Sequence, residues 1–94
     1  MISVKDIFNA KILIIDDQEV NVRILTDILH RAGFIKIYST TESLNATRMY
    51  QEIQPDLVLL DLNMPHLDGF QVMEQFKKLE HDSYLPVLVL TTEE

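Results

Sequence analysis

The sequence predicts an α/β domain built on a parallel sheet, because short apolar runs alternate with segments of helical periodicity. Apolar runs without polar alternation are typical of strands that are buried on both faces. Apolar residues spaced three and four positions apart are typical of amphipathic helices. The 94 residues suffice for one domain.

The strands are predicted from four apolar runs, and the second run alternates apolar with polar residues, which favours an edge strand. Their starts recur at intervals of about 25 residues, in the range of βα units. The predicted strands are 11–15, 35–38, 56–60 and 86–90.

Three helices are predicted between these strands, at 19–32, 42–53 and 70–79. Gly33 follows the first helix where a residue of positive φ ends many helices. A β-α-β-α-β-α-β order implies right-handed crossovers and helices on both faces of the sheet. The residues that mark the predicted helix stripes are Val20, Ile24, Leu25, Ile28, Leu29 and Ala32 in the first helix, Leu44, Thr47, Tyr50 and Ile53 in the second, and Phe70, Met73, Phe76, Lys77 and Leu79 in the third.

Residues 1–10 precede the first strand and are interpreted as an amino-terminal leader, with residues 11–94 forming the domain. Ser3 and Asp6 have the spacing of a capping box, which favours a short helix. A disordered leader remains the alternative.

The composition restricts the partners. Fifteen acidic and eight basic residues give a net charge of −7, which disfavours direct binding to nucleic acid. No apolar run approaches the length that spans a bilayer, and neither a membrane partner nor a secretory signal is predicted. Together with the absence of cysteine, this favours a cytoplasmic protein. The acidic residues either bind cations and basic surfaces or form a dispersed solvated charge.

Acidic residues follow two of the predicted strands. Asp16 and Asp17 end the first strand, and Asp61 ends the third. Ligands of open α/β sheets bind at the carboxyl ends of strands, so three carboxylates would meet there if these strands are neighbours. Two like charges 4 Å apart repel by about 4 kcal/mol at an effective dielectric of 20, which favours an added cation. Oxygen ligands select Mg²⁺. The alternative is three solvated acids in separate loops.

Two further groups are expected at the same edge. The backbone carbonyl of Asn63 stands two residues after Asp61 and offers a neutral oxygen ligand. Thr91 follows the fourth predicted strand, where its hydroxyl would face a group bound at Asp61. The alternative for Thr91 is a cap for a following helix.

Four motifs follow one another along the chain: Ile-Ile-Asp16-Asp17, Leu-Leu-Asp61-Leu-Asn63-Met-Pro65, Asp68-Gly69 and Pro86-Val-Leu-Val-Leu-Thr91. In this order and spacing they resemble the receiver domain of bacterial response regulators. The resemblance implies a flavodoxin-like doubly wound sheet of order 2-1-3-4, extended by a fifth strand in complete members. It also implies phosphoryl transfer from a sensor histidine kinase or phosphotransfer protein.

The resemblance assigns roles to the acidic residues and their neighbours. Asp61 would be the phosphoacceptor, and Thr91 the switch hydroxyl. Asp17, Asp61 and the Asn63 carbonyl would bind Mg²⁺ directly, while Asp16 would act largely through water. Such a module assists its own phosphorylation and is not a turnover enzyme.

Two departures from the family pattern change the expectation. Thr92 stands where members usually carry a small residue. Members also carry a lysine after a fifth strand, whereas the lysines here are Lys5, Lys11, Lys36, Lys77 and Lys78. The sequence is therefore expected to be a receiver that stops after its fourth strand, without the fifth strand and the last helices. Such a chain is expected to have impaired phosphorylation and to form a homodimer or larger assembly through an exposed strand edge.

The predicted function is a Mg²⁺-dependent phosphoacceptor module of a two-component system. A receiver-like interaction or dimerisation module that works without phosphate is the alternative, favoured by the missing lysine. A Mg²⁺-dependent phosphohydrolase would normally place a second carboxylate at position 63, where Asn63 stands.

Overall fold

A computed structural model describes residues 7–61, 69–79 and 87–90, and it contains a four-stranded parallel sheet of order β2-β1-β3-β4. A 3₁₀ turn at Ser43–Asn45 precedes the second helix. The elements are β1 (Lys11–Ile15), α1 (Glu19–Ala32), β2 (Lys36–Thr40), α2 (Ala46–Ile53), β3 (Leu57–Asp61), α3 (Gly69–Leu79) and β4 (Val87–Leu90).

The sheet confirms the predicted fold class and the predicted edge position of the second strand. β1 and β3 occupy the centre because their runs are apolar on both faces, and four consecutive residues of β1, Ile12–Ile15, are at most 1% exposed. β2 is longer than the sequence predicted and extends to Thr40. Its pattern of exposed and half-buried residues agrees with an edge strand.

The two faces of the sheet carry separate cores. On one face α1 covers a cluster of Ile12, Ile14 and Leu59. On the other face α2 and α3 cover Leu13, Val58 and their neighbours. In this second core the rings of Tyr50 and Phe76 stack with centroids 4.4 Å apart. Helices therefore lie on both faces, as a doubly wound sheet requires.

The amino-terminal ends of β1 and β3 are joined by hydrogen bonds outside the regular ladder. The Lys11 N–H donates to Asp56 Oδ2 at 2.8 Å, and the Asp56 N–H donates to the Lys11 carbonyl at 2.8 Å. Lys11 Nζ also donates to the Ile53 carbonyl at 3.2 Å. The register of the two central strands is therefore fixed at the end opposite Asp16 and Asp61.

The helices differ from the predicted stripes in which residues they bury. The predicted residues Leu25 and Leu29 of α1 pack on the sheet, and so does Val22, which was not predicted. The predicted residues Val20, Ile24 and Ile28 are instead more than half exposed, because the prediction included apolar residues of α1 that face away from the sheet. Leu44 was also predicted to pack and is 63% exposed in the 3₁₀ turn. No helix in the described parts of the chain is long and apolar enough to cross a membrane.

Gly33 ends α1 as predicted, with a φ of 117° and N–H bonds to the Leu29 and His30 carbonyls. A Cβ at this position would lie 3.1 Å from ring atoms of Phe8. The Phe8 ring in turn packs edge-on against Phe34, with centroids 5.1 Å apart. The end of the predicted leader is thus attached to the domain, and Ile7 and Phe8 are helical.

We expect Gly33→Ala to lower the free energy of unfolding by about 1–2 kcal/mol, because an L-residue is strained at this φ. In a Phe8→Ala background the same change should cost less, because the ring that crowds the new methyl group is gone. Urea unfolding of the four proteins in this cycle measures both values. An equal cost in both backgrounds would contradict the crowding by Phe8.

Candidate metal centre

The carboxyl end of the sheet brings together the three acidic residues predicted from the sequence. Ile15 of β1 pairs with Leu60 of β3, so Asp16 and Asp61 are the next residues along this register. One ligand oxygen from each of Asp16, Asp17 and Asp61 lies within 4.8 Å of the others. The pairing of β1 with β3 therefore converts two distant sequence motifs into one cluster.

Burial distinguishes the three carboxylates. Asp16 is 3% exposed and Asp61 is 1% exposed, whereas Asp17 is half-buried. Carboxylates are rarely this buried unless they are paired, hydrogen-bonded or bound to a cation. A hard divalent cation with oxygen ligands suits this donor set, and Mg²⁺ has that preference.

Asp16 is held by groups at the start of α1. The Gln18 N–H donates to Asp16 Oδ1 at 2.9 Å. The side chain of Asn21 favours the charged form of this carboxylate and lowers its pKa. The Asp16 N–H donates to the Thr40 carbonyl at 3.2 Å, which attaches the end of β1 to the end of β2. Neither Gln18 nor Asn21 was predicted from the sequence.

The pKa of Asp16 is raised above its ordinary value of 3.8, mainly because burial penalises the charged form. The charges of Asp61 and Asp17 raise it further. The hydrogen bonds from Gln18 and Asn21 act in the opposite direction and favour the carboxylate. Without a cation, the negative charge of Asp16 therefore lowers the free energy of unfolding at neutral pH.

Two predicted site residues, Asn63 and Thr91, lie outside the described residues. Their positions in the chain are nevertheless next to described strand ends. Asn63 follows Asp61 by two residues, and Thr91 follows Leu90, which pairs with Asp61 in the sheet.

The family follows from comparison with known proteins. The model of the response regulator receiver domain matches residues 12–94. The chain therefore belongs to the receiver domains of response regulators, which are signalling modules of two-component systems.

Three relatives illustrate the similarity. The chain is 33% identical over 91 residues to a protein-glutamate methylesterase/protein-glutamine glutaminase of Treponema pallidum, spanning 94% of this chain and 22% of that protein. It is 30% identical over 80 residues to the polar-differentiation response regulator DivK of Brucella ovis, spanning 85% of this chain and 64% of DivK. A solved CheX–CheY–BeF3–Mg complex from Borrelia burgdorferi matches with a TM-score of 0.79 and 27% identity, covering 87% of this chain and 61% of that one. The chain thus spans less than two thirds of both curated relatives.

We expect Asp16→Asn to raise the melting temperature of the metal-free protein at pH 7 by several degrees, because it removes a buried charge. The folded pKa of Asp16 is raised, so its ionisation reduces stability as the pH rises from below 3.8 through the folded value. The increase in melting temperature caused by Asp16→Asn should therefore become smaller as the pH is lowered toward about 4.

Thermal melts in a chelator at several pH values measure this dependence. Glu74→Gln is the matched control, because Glu74 is exposed on α3 and far in sequence from the cluster. A gain from Asp16→Asn that is independent of pH would contradict the electrostatic explanation.

Proposed function

We propose that this chain is a phosphoacceptor that takes a phosphoryl group onto Asp61 from a sensor histidine kinase or phosphotransfer protein. The observation that carries the proposal is the convergence of Asp16, Asp17 and Asp61 within 4.8 Å at the end of the two central strands. Membership in the receiver family supports it.

The transfer itself needs the reacting groups to be positioned and the charge on the phosphoryl oxygens to be stabilised. A carboxylate oxygen of Asp61 attacks the phosphorus atom and forms the new P–O bond. The P–N bond to the donor histidine breaks, and its electron pair returns to the imidazole. The product is an acyl phosphate on Asp61, which leaves the chain modified and makes it a relay component rather than a turnover enzyme.

Charge is the main obstacle to this step, because a phosphoryl dianion approaches three carboxylates. Asp17, Asp61 and the backbone carbonyl of Asn63 would hold a Mg²⁺ ion, and Asp16 would reach it largely through water. When bound, the ion neutralises charge on the carboxylates and on the phosphoryl oxygens. The Thr91 hydroxyl would donate to a phosphoryl oxygen as the switch group. A structurally similar protein was crystallised with BeF3 and Mg in a CheX–CheY complex, which supports the proposal of a magnesium site.

We also propose a location in the bacterial cytoplasm, because the curated relatives come from the bacteria Treponema pallidum and Brucella ovis.

We expect the wild-type chain to gain one phosphoryl group when incubated with Mg²⁺ and acetyl phosphate, and Asp61→Asn to gain none. Asp27→Asn is the matched control, because Asp27 is an exposed acid of α1. Intact-mass spectrometry follows the modification, and omission of Mg²⁺ should abolish it.

Modification of Asp61→Asn at the wild-type rate would rule out Asp61 as the acceptor. Binding of a partner that needs neither phosphate nor Asp61 would favour the alternative, a phosphate-independent interaction module.

Association through the outer edge of β4 is also part of the proposal. β4 stands last in the sheet order, and β3 is its one partner among the described strands. An unpaired edge has free N–H and carbonyl groups that a second copy can pair with. Sedimentation over a range of concentrations should reveal a dimer, and a monomer throughout would contradict it.

A further inference from the structure

α1 presents a second row of apolar residues, on a side that does not pack on the sheet. Val20, Ile24 and Ile28 are spaced by four residues, and each is more than half exposed. A surface helix normally carries polar residues on the sides that face away from the core. Exposed apolar residues that lie together mark sites where another protein binds. Within the described parts of the chain, no element covers this row.

A row of charged residues runs beside the apolar row, and its signs alternate. Its members Glu19, Arg23, Asp27 and Arg31 are also spaced by four residues. Glu19 Oε1 lies 3.7 Å from a guanidinium nitrogen of Arg23, and Asp27 Oδ2 lies 3.2 Å from Arg31 Nε. Two acids and two bases cancel, although the chain as a whole carries a net charge of −7. Two copies of the chain can therefore meet at this side of α1 without bringing like net charges into contact.

The order of the charges is self-complementary when two α1 helices lie antiparallel. A two-fold axis between the helices then sets the two charged rows side by side, running in opposite directions. Glu19 of one copy lies opposite Arg31 of the second copy, and Arg23 lies opposite Asp27 of the second copy. A parallel pair would leave the two charged rows on opposite sides of the interface, without contact between them. Charge complementarity therefore favours a second copy of this chain, in the antiparallel orientation.

We infer that α1 is the docking surface for a second copy of this chain, packed antiparallel so that its apolar row meets the same row of the second copy. Val20 then lies against Ile28 of the second copy, and Ile24 lies near the two-fold axis against its counterpart. The 14 residues of α1 extend over about 21 Å. A contact of this length is smaller than a standard protein interface, so the pairing is expected to depend on concentration. The surface is separate from the outer edge of β4 and does not depend on phosphoryl transfer.

The test is Ile24→Glu, which places a charge at the centre of the proposed interface. Ile35→Glu is the matched control, because it makes the same change at an exposed isoleucine outside α1. Amide shifts of each ¹⁵N-labelled protein are recorded over a dilution series. In the wild type, the amides of Val20 and Ile28 should shift with concentration and give the dissociation constant.

We expect Ile24→Glu to weaken the pairing by about tenfold or more, because each dimer would lose two buried isoleucines and gain two buried charges. The variant should keep its fold, since Ile24 is more than half exposed within one chain. Ile35→Glu should pair as the wild type does.

Mixing two charge variants tests the antiparallel order. Arg23→Asp places acids opposite one another in a pair of identical copies, and Asp27→Arg places arginines opposite one another. Each variant alone should therefore pair weakly. A mixture of the two should restore the pairing, because every acid then lies opposite an arginine. The Val20 and Ile28 amides of labelled Arg23→Asp should shift when unlabelled Asp27→Arg is added.

Three results would overturn the inference. Association that Ile24→Glu leaves unchanged would belong to another surface, and shifts confined to Val87–Leu90 would assign it to the edge of β4. Amides of α1 that stay unshifted up to millimolar concentration would show that a second copy does not bind there. A mixture of the charge variants that pairs no better than its components would rule out the antiparallel arrangement.

Discussion

The parallel pairing of β1 with β3 is the constraint on which the site depends. It places Asp16 and Asp61 side by side at the end of a ladder whose preceding residues are fully buried. The carboxylates repel each other there, yet the backbone positions of Asp16 and Asp61 cannot separate without breaking the pairing of the two central strands. The apolar core therefore supplies the free energy that holds like charges together, and the charges in turn create a site for a cation.

The site combines groups that are placed by the pairing of strands with a group at the start of a helix. Strand register brings Asp16 and Asp61 together, while the turn into α1 supplies the Gln18 N–H. At the opposite end of the sheet, the bonds between Lys11 and Asp56 fix the same two strands. The central pair is thus attached at both ends, and a shift of one strand along the other would disturb both.

Much of this arrangement could be predicted from the sequence because buried parallel strands leave an unambiguous pattern. The apolar run from Lys11 to Ile15 predicted β1 and thereby placed the acids that follow it, Asp16 and Asp17, at the carboxyl end of the sheet. Gly33 marked the end of α1. The face of α1 that packs on the sheet was harder to predict from the sequence. Ile24 and Leu25 are equally apolar neighbours, and only the direction in which the helix crosses the sheet decides that Leu25 packs.

The contact between the start of α1 and Asp16 could not be predicted for a related reason. The Gln18 N–H belongs to the backbone, which carries no sequence signal, and its bond to Asp16 depends on how the chain turns between β1 and α1. That contact has a thermodynamic consequence for the molecule as a whole. If α1 orients a ligand of the cation, cation binding and the docking of α1 on the sheet are linked, and each must strengthen the other by the same factor. The exposed side of α1, with Ile24 and Ile28, then becomes a surface from which a bound partner would alter the affinity of a site that it does not touch.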